Sequence, residues 1–229
     1  MNQKDSSNFI LFTLGLGALL GCLNMMIFNV ALPTIATVFE APLSKVQWLT
    51  SGYMLAAGMM IPAVGYLGDR FGYKRLYLFI LITVLICSIA GIFAWCIEYL
   101  IIIRFITGLT SGMLASLSLA MMYRYLPVNR HTNAATIWGM ANMLGAIFPT
   151  VLTGFILSVA DWRFLLLFVV PFLILDIFMC LYVFPHDTET KTGKLDFAGL
   201  FLLSAGSFSL LFSFSNLSKW GLSPRFFWF

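Results

Sequence analysis

Long apolar runs separated by short polar clusters recur along nearly the whole chain. A helix needs about 20 mostly apolar residues to cross roughly 30 Å of hydrocarbon. Seven stretches meet that requirement, near 9–32, 48–67, 76–95, 99–125, 134–159, 164–184 and 197–217. Each is expected to be a helix, because lipid offers no hydrogen-bond partner to the backbone of an open strand. Spans 5 and 6 are separated only by the short join around Asp161 and Arg163, where two charges and Trp162 predict a tight turn. The join between spans 2 and 3, GYLGDRFGYKRLY at 65–77, is far more charged, with Asp69, Arg70, Lys74 and Arg75 close together.

Composition narrows the class. The 229 residues are 61% hydrophobic and 10% charged, with a mean hydropathy of +0.96, against about 45–50% apolar and about 25% charged in soluble domains. The expected fold class is therefore an all-α polytopic membrane protein. Lys and Arg in short loops mark the cytoplasmic side. With the N-terminus inside, Lys4, Arg70, Lys74, Arg75, Arg124, Arg130, Lys191 and Lys194 are cytoplasmic, and Lys45, Arg163, Lys219 and Arg225 are external. This count favours a cytoplasmic N-terminus and, with seven spans, an external C-terminus. The opening MNQKDSSN runs into span 1 without a small-residue cleavage pattern, so span 1 is read as retained.

The net charge of +4 follows from topology and calls for no nucleic-acid partner. Cys22, Cys87, Cys96 and Cys180 lie in or beside spans without C-x-x-C spacing, so neither a disulfide framework nor a metal site is indicated. His131 and His186 read as solvated loop residues. The chain carries no nucleotide-binding loop, no G-x-S-x-G and no paired carboxylates, and an enzyme is not expected.

In the 65–77 cluster the basic residues serve as topology anchors, but Asp69 adds nothing to that signal. Gly65, Gly68 and Gly72, spaced three and four apart, allow close helix approach and a sharp turn. The segment resembles the loop between spans 2 and 3 of the major facilitator superfamily, G-x-L-[AG]-D-R-x-G-[RKY]-[RK]-[RK], at Gly65, Leu67, Gly68, Asp69, Arg70, Gly72, Lys74 and Arg75. The resemblance implies a conformational latch. In the outward-open state its Asp engages a neighbouring Arg and the N-terminal end of a helix in the opposite half, where the helix dipole favours a carboxylate.

Span 1 ends LNMMIFNVALPTIA, which is similar to the L-D-x-T-I-V-N-V-A-L-P segment of the fourteen-span drug:proton antiporter branch from Leu23 through Asn29, Val30, Ala31, Leu32 and Pro33. VQWLTSGYMLA at 46–56, DWRFLLLFVVP at 161–171 and KLDFAGLFLLSAG at 194–206 are also similar to that branch. Where the branch has an acid, this chain has Asn24, which neither takes up nor releases a proton near neutral pH. Span 4, RFITGLTSGMLA, matches the family's R-x-x-Q-G-x-G at Arg104 and Gly108, with Thr107 for the Gln and Gly112 offset. An intramembrane Arg marks function by default. The resemblance implies a part for Arg104 in proton coupling, and the alternative is an Arg near the outer helix end that snorkels to the interface.

Span 5, MLGAIFPTVLTGFIL, resembles the antiporter motif G-P-x-L-G-P-x-L-G-G. Gly145 and Gly154 align with its ends, Pro149 stands where a Gly is usual, and Thr150 and Thr153 replace a Pro and a Gly. The implied role is a bent, thin helix sealing against the other half; a generic packed kink is the alternative. Asp176, in FLILDIFMCLY of span 6, belongs to no family motif. It is a candidate proton carrier in place of the acid missing at Asn24, or a residue that tunes cavity polarity, or one wet from the cytoplasmic end. The 12 methionines and 23 phenylalanines mostly face lipid or fill helix contacts, although the family's drug cavities use such surfaces.

The resemblance implies that residues 1–186 form the N-terminal six-helix bundle of the major facilitator fold, built from two inverted three-helix repeats. Residues 187–229 would then supply a cytoplasmic linker, a seventh helix and an external tail. GYLGDRFGYKRL after span 2 and GFILSVADWRFL after span 5 have loosely similar spacing on opposite faces. A facilitator binds substrate between two six-span halves, so the expected partners are the lipid bilayer, a small-molecule substrate and a missing C-terminal half or second polypeptide. The implied activity is proton-coupled efflux of drugs or other hydrophobic or cationic molecules across a bacterial plasma membrane, with the proton gradient as energy source and no cofactor. A dimerising half-transporter and a non-transporting sensor, assembly protein or remnant are the alternatives.

Overall fold

The computed structural model describes residues 3–184 and the helical positions 199, 202, 205, 206 and 209. The expected linker, the rest of the expected seventh span and the expected external tail, with His186, Lys191, Lys194, Lys219, Arg225 and the side chain of Lys4, lie outside the described residues. Among the described residues the chain is helical: α1 Gln3–Val38, α2 Leu43–Val46, α3 Trp48–Met60, α4 Val64–Phe71, α5 Tyr73–Ile92, α6 Ile97–Ser111, α7 Leu114–Tyr125, α8 His131–Val159 and α9 Arg163–Val183. Among the described residues five helical stretches, Ser7–Val38, Tyr73–Ile92, Ile97–Tyr125, Val128–Val159 and Arg163–Val183, are long and apolar enough to cross a membrane.

Span 2 differs from its expectation. It is not one helix over 48–67 but α3 and α4 joined by a tighter 3-10 turn, Ile61–Ala63. Pro62 explains the break, because it has no N–H to continue the α-helical ladder and its ring crowds the preceding turn. Span 4 is interrupted only briefly, without a proline, by the two residues between α6 and α7, Gly112 and Met113. Span 1 instead runs past its expected end, through an exposed Pro33 to Val38.

The tight turn expected between spans 5 and 6 is present. The Asp161 carboxylate accepts the backbone N–H of Arg163 at 2.9 Å, satisfying a donor at the start of α9. Trp162 is buried, with its ring 5.7 Å from that of Phe39 beyond the end of α1. The Arg163 side chain reaches back to α5, donating from Nε to the Ile92 carbonyl at 3.0 Å and from Nη2 to that of Ala94 at 3.3 Å. His131 is not a solvated loop residue as expected: it opens α8, its Nε2 lies 3.1 Å from the Leu126 carbonyl, and its ring packs on Tyr123.

α1 is the centre of the bundle and touches α3, α6, α7, α8 and α9. Its buried face carries Leu14, Ala18, Leu20, Ile27, Phe28 and Ile35. α3 packs on α6, and α5 on α9. α8 is covered mainly along one face by α1, leaving Met143, Ile147, Val151 and Phe155 on the outside. Four free thiols occur among the described residues, at the cysteine positions read from the sequence.

Candidate functional site

Gly72 is the only residue between α4 and α5, and its φ of 88° is one that side-chain-bearing residues seldom adopt. This turn sets the geometry of the charged cluster. Gly68 lets the Tyr73 ring close in, 2.8 Å from where a Cβ would stand. The Tyr73 hydroxyl donates to Asp69 at 3.1 Å, and Arg124 of α7 lies 3.9 Å from the same carboxylate and 4.9 Å from the Tyr73 ring. The Asp69–Arg124 pair is partly exposed, so it contributes little to stability and is inexpensive to break. Arg70 leans on the Phe71 ring, Arg75 is exposed, and a Cβ on Gly65 would meet no atom within 4 Å.

Lys74 departs from the anchor reading. It is buried, and its ammonium donates to the carbonyl of Leu181 at 3.3 Å and to that of Phe184, at the C-terminal end of α9.

Arg104 of α6 is 1% exposed and does not snorkel. Its Nη1 donates to the Asn24 side-chain oxygen at 3.0 Å, its Nη2 to the Asn24 backbone carbonyl at 3.1 Å, and its Nε to the Leu49 carbonyl at 3.3 Å. The rings of Phe28 and Tyr53 lie 4.2 Å from the guanidinium carbon. The Tyr53 hydroxyl in turn pairs with Ser111. A planar cation with several forked donors suits this mixture of carbonyls and ring faces. Asn24, though no acid, thus occupies a working position: it holds the guanidinium with two acceptors.

Asp176 of α9 is completely buried, which excludes the wet-end reading. Its Oδ2 accepts from the Tyr77 hydroxyl of α5 at 2.8 Å, while Oδ1 has no hydrogen-bond partner among the described residues. Gly17 of α1 makes room for the pair, since a Cβ there would stand 1.8 Å from the Tyr77 oxygen and 3.2 Å from Asp176 Oδ2. Gly17 and Asn24 are seven residues apart on α1, hence on one face and about 10 Å apart along the axis. The Arg104–Asn24 cluster and the Tyr77–Asp176 pair therefore both pack against one face of α1.

Gly108 and Gly112, at the C-terminal end of α6, form a small-x-x-x-small edge against α3. A Cβ on Gly108 would stand 2.5 Å from the Tyr53 carbonyl, and one on Gly112 2.4 Å from the Ala57 Cβ. Gly145 performs the same service on α8, 2.7 Å from the Leu19 carbonyl of α1. The buried Pro149 lies on that face, and Thr153 donates to the Ile27 carbonyl at 3.2 Å. Among the described residues nothing lies within 4 Å of a would-be Cβ on Gly154, so it makes no packing contact inside this half. Asn29 is exposed and donates to the Met26 sulfur at 3.4 Å.

The family model described as Major Facilitator Superfamily matches residues 14–228. The chain belongs to that superfamily. Among superfamily relatives, the uncharacterized MFS-type transporter YhcA of Bacillus subtilis is 31% identical over 96% of this chain and 42% of its own length. The multidrug export protein EmrB of Escherichia coli is 30% identical over 86% of this chain and 39% of its own length. The chain thus spans about two fifths of the length of these curated relatives. The structure of the proton:xylose symporter XylE matches 91% of the chain and 52% of that protein with a TM-score of 0.72, at 16% identity, and this likeness shows the fold alone. The fold is the superfamily's N-terminal six-helix bundle.

Within this superfamily bundle the structure gathers Asn24 with Arg104, and Gly68 and Asp69 with the turn at Gly72. Arg104 and Asp176 share no direct contact. Sequence reading missed Phe28, Tyr53, Tyr77 and Gly17. Phe28 stands four residues after Asn24 on one helix face, a signal that was available. Tyr77 offered none, because its bond to Asp176 joins residues 99 apart in the chain.

Proposed function

We propose that this chain is the N-terminal half of a proton-coupled exporter of hydrophobic or cationic small molecules in a bacterial plasma membrane, with its N-terminus in the cytoplasm. A second half, from the same or another polypeptide, completes the transport path. The name of the multidrug relative and the two-fifths coverage support this reading. The observation that carries it is the Arg104 cluster, in which the named acceptors are neutral oxygens and ring faces. A guanidinium held by these neutral partners keeps its charge inside the bundle, where it acts on Asp176 of α9, whose carboxyl packs against the same face of α1. Asp176 is the proton carrier in this reading, and Asp69 with Arg124 is the latch that the second half engages.

The test uses everted membrane vesicles from cells making the chain together with its second half. Ethidium added to energised vesicles should be accumulated and should release protons, and a protonophore should abolish the accumulation. Accumulation that survives the protonophore, with no proton movement, would overturn the coupling.

A further inference from the structure

Two contacts at opposite ends of the α5–α9 pair mirror one another. Lys74, at the second position of α5, donates to the carbonyls of Leu181 and Phe184 at the C-terminal end of α9. Arg163, at the first position of α9, donates to the carbonyls of Ile92 and Ala94 at the C-terminal end of α5. The sequence offset that carries Lys74 onto Arg163 also carries Ile92 onto Leu181. It carries Gly65 onto Gly154, Tyr73 onto Trp162 and Leu76 onto Leu165 as well. The Lys74–Leu181 and Arg163–Ile92 bonds are therefore exchanged by the relation between spans 1–3 and spans 4–6, although the two segments share few residue types. Gly65 and Gly154, matched by the same offset, both face open space.

We infer that Lys74 and Arg163 are reciprocal clamps that pin spans 3 and 6 together at both membrane faces. The last carbonyls of a helix lack intrahelical donors, and a cation is favoured there by the helix dipole. Each clamp satisfies such carbonyls on the neighbouring antiparallel helix. Asp161 steadies one of them, through its 3.4 Å contact with Arg163 Nη1 and the bond to the Arg163 N–H. Burial of Lys74 gives its ammonium little alternative to these carbonyls. Two helices tied at one end can splay, whereas two tied at both ends move as one lever. Lys74, although it lies within the latch segment, is thereby a positioning residue inside its own half.

Hydrogen–deuterium exchange of the full protein in lipid nanodiscs tests the clamps without reference to transport. Lys74→Met should speed amide exchange about tenfold at 180–184 in α9, and Arg163→Met should do so at 90–94 in α5, the size expected for losing a charged hydrogen bond. Lys74→Arg and Arg163→Lys should retain protection, which separates loss of the clamp from misfolding. Faster exchange confined to the substituted residue's own helix, or none, would overturn the inference. The transport consequence rests on the exporter reading: Lys74→Met should lower the maximal efflux rate with substrate affinity unchanged, and Lys74→Arg should restore it. An unsubstituted protein that moves no substrate would fail the exporter reading alone, leaving the exchange pattern to decide the clamps.

Discussion

Arg104 and Asp176 are both sealed inside protein, and they are held in opposite ways. Arg104 has three hydrogen-bond acceptors and two aromatic faces. Asp176 has one donor on one oxygen and none on the other. The cation is fixed in place by its surroundings, while the carboxyl is left with an unmet demand. A buried polar group left half satisfied is costly and calls for a functional explanation. In the proposed exporter this contrast would give Arg104 a standing electrostatic role and Asp176 a changeable one.

The largest expected effect breaks the satisfied side. Arg104→Met removes the ring stacking and strands the acceptors of Asn24 and Leu49, at a cost of about 3 kcal/mol or more. It should lower the thermal midpoint markedly and abolish efflux. Arg104→Lys should not restore either, because an ammonium cannot bridge three separated acceptors in a plane; full rescue would refute the fork geometry. Asn24→Leu should cost about 1.5–3 kcal/mol, the range for a hydrogen bond to a charged group. Asn24→Asp should retain stability, measured in the same melting experiment.

On the other side, Tyr77→Phe removes the one donor to Asp176 and should cost about 1–2 kcal/mol. Asp176→Asn should leave the melting midpoint nearly unchanged yet abolish proton release on substrate addition, with substrate exchange between compartments surviving. Loss of exchange in parallel with loss of folded protein would make Asp176 a packing residue. Smallest in stability is Asp69→Asn, where the pair lost is partly exposed and contributes at most about 1 kcal/mol. Its effect should appear in efflux rate alone, and normal efflux would remove the latch.

The spans were legible because an apolar run of the right length has few alternatives, and the Asp161–Trp162–Arg163 turn because its charges interrupt that run. The break in span 2 was not legible from the length of its apolar run, because membrane helices often carry a proline such as Pro62 without ending there. Arg104 was legible as important, but its partners were not. They come from α1 and α3 through contacts of 80 and 55 residues' separation, which hydropathy does not encode.

The junction at Gly72 has a mechanical consequence. A single residue in a conformation reserved for glycine joins α4 to α5, so the linkage has no backlash. Any load applied to the Asp69 surface passes to α5 within one peptide, with no loop to absorb it. An insertion at this point would work like a loosened coupling between two shafts, leaving each helix sound while the movement of one no longer arrives at the other.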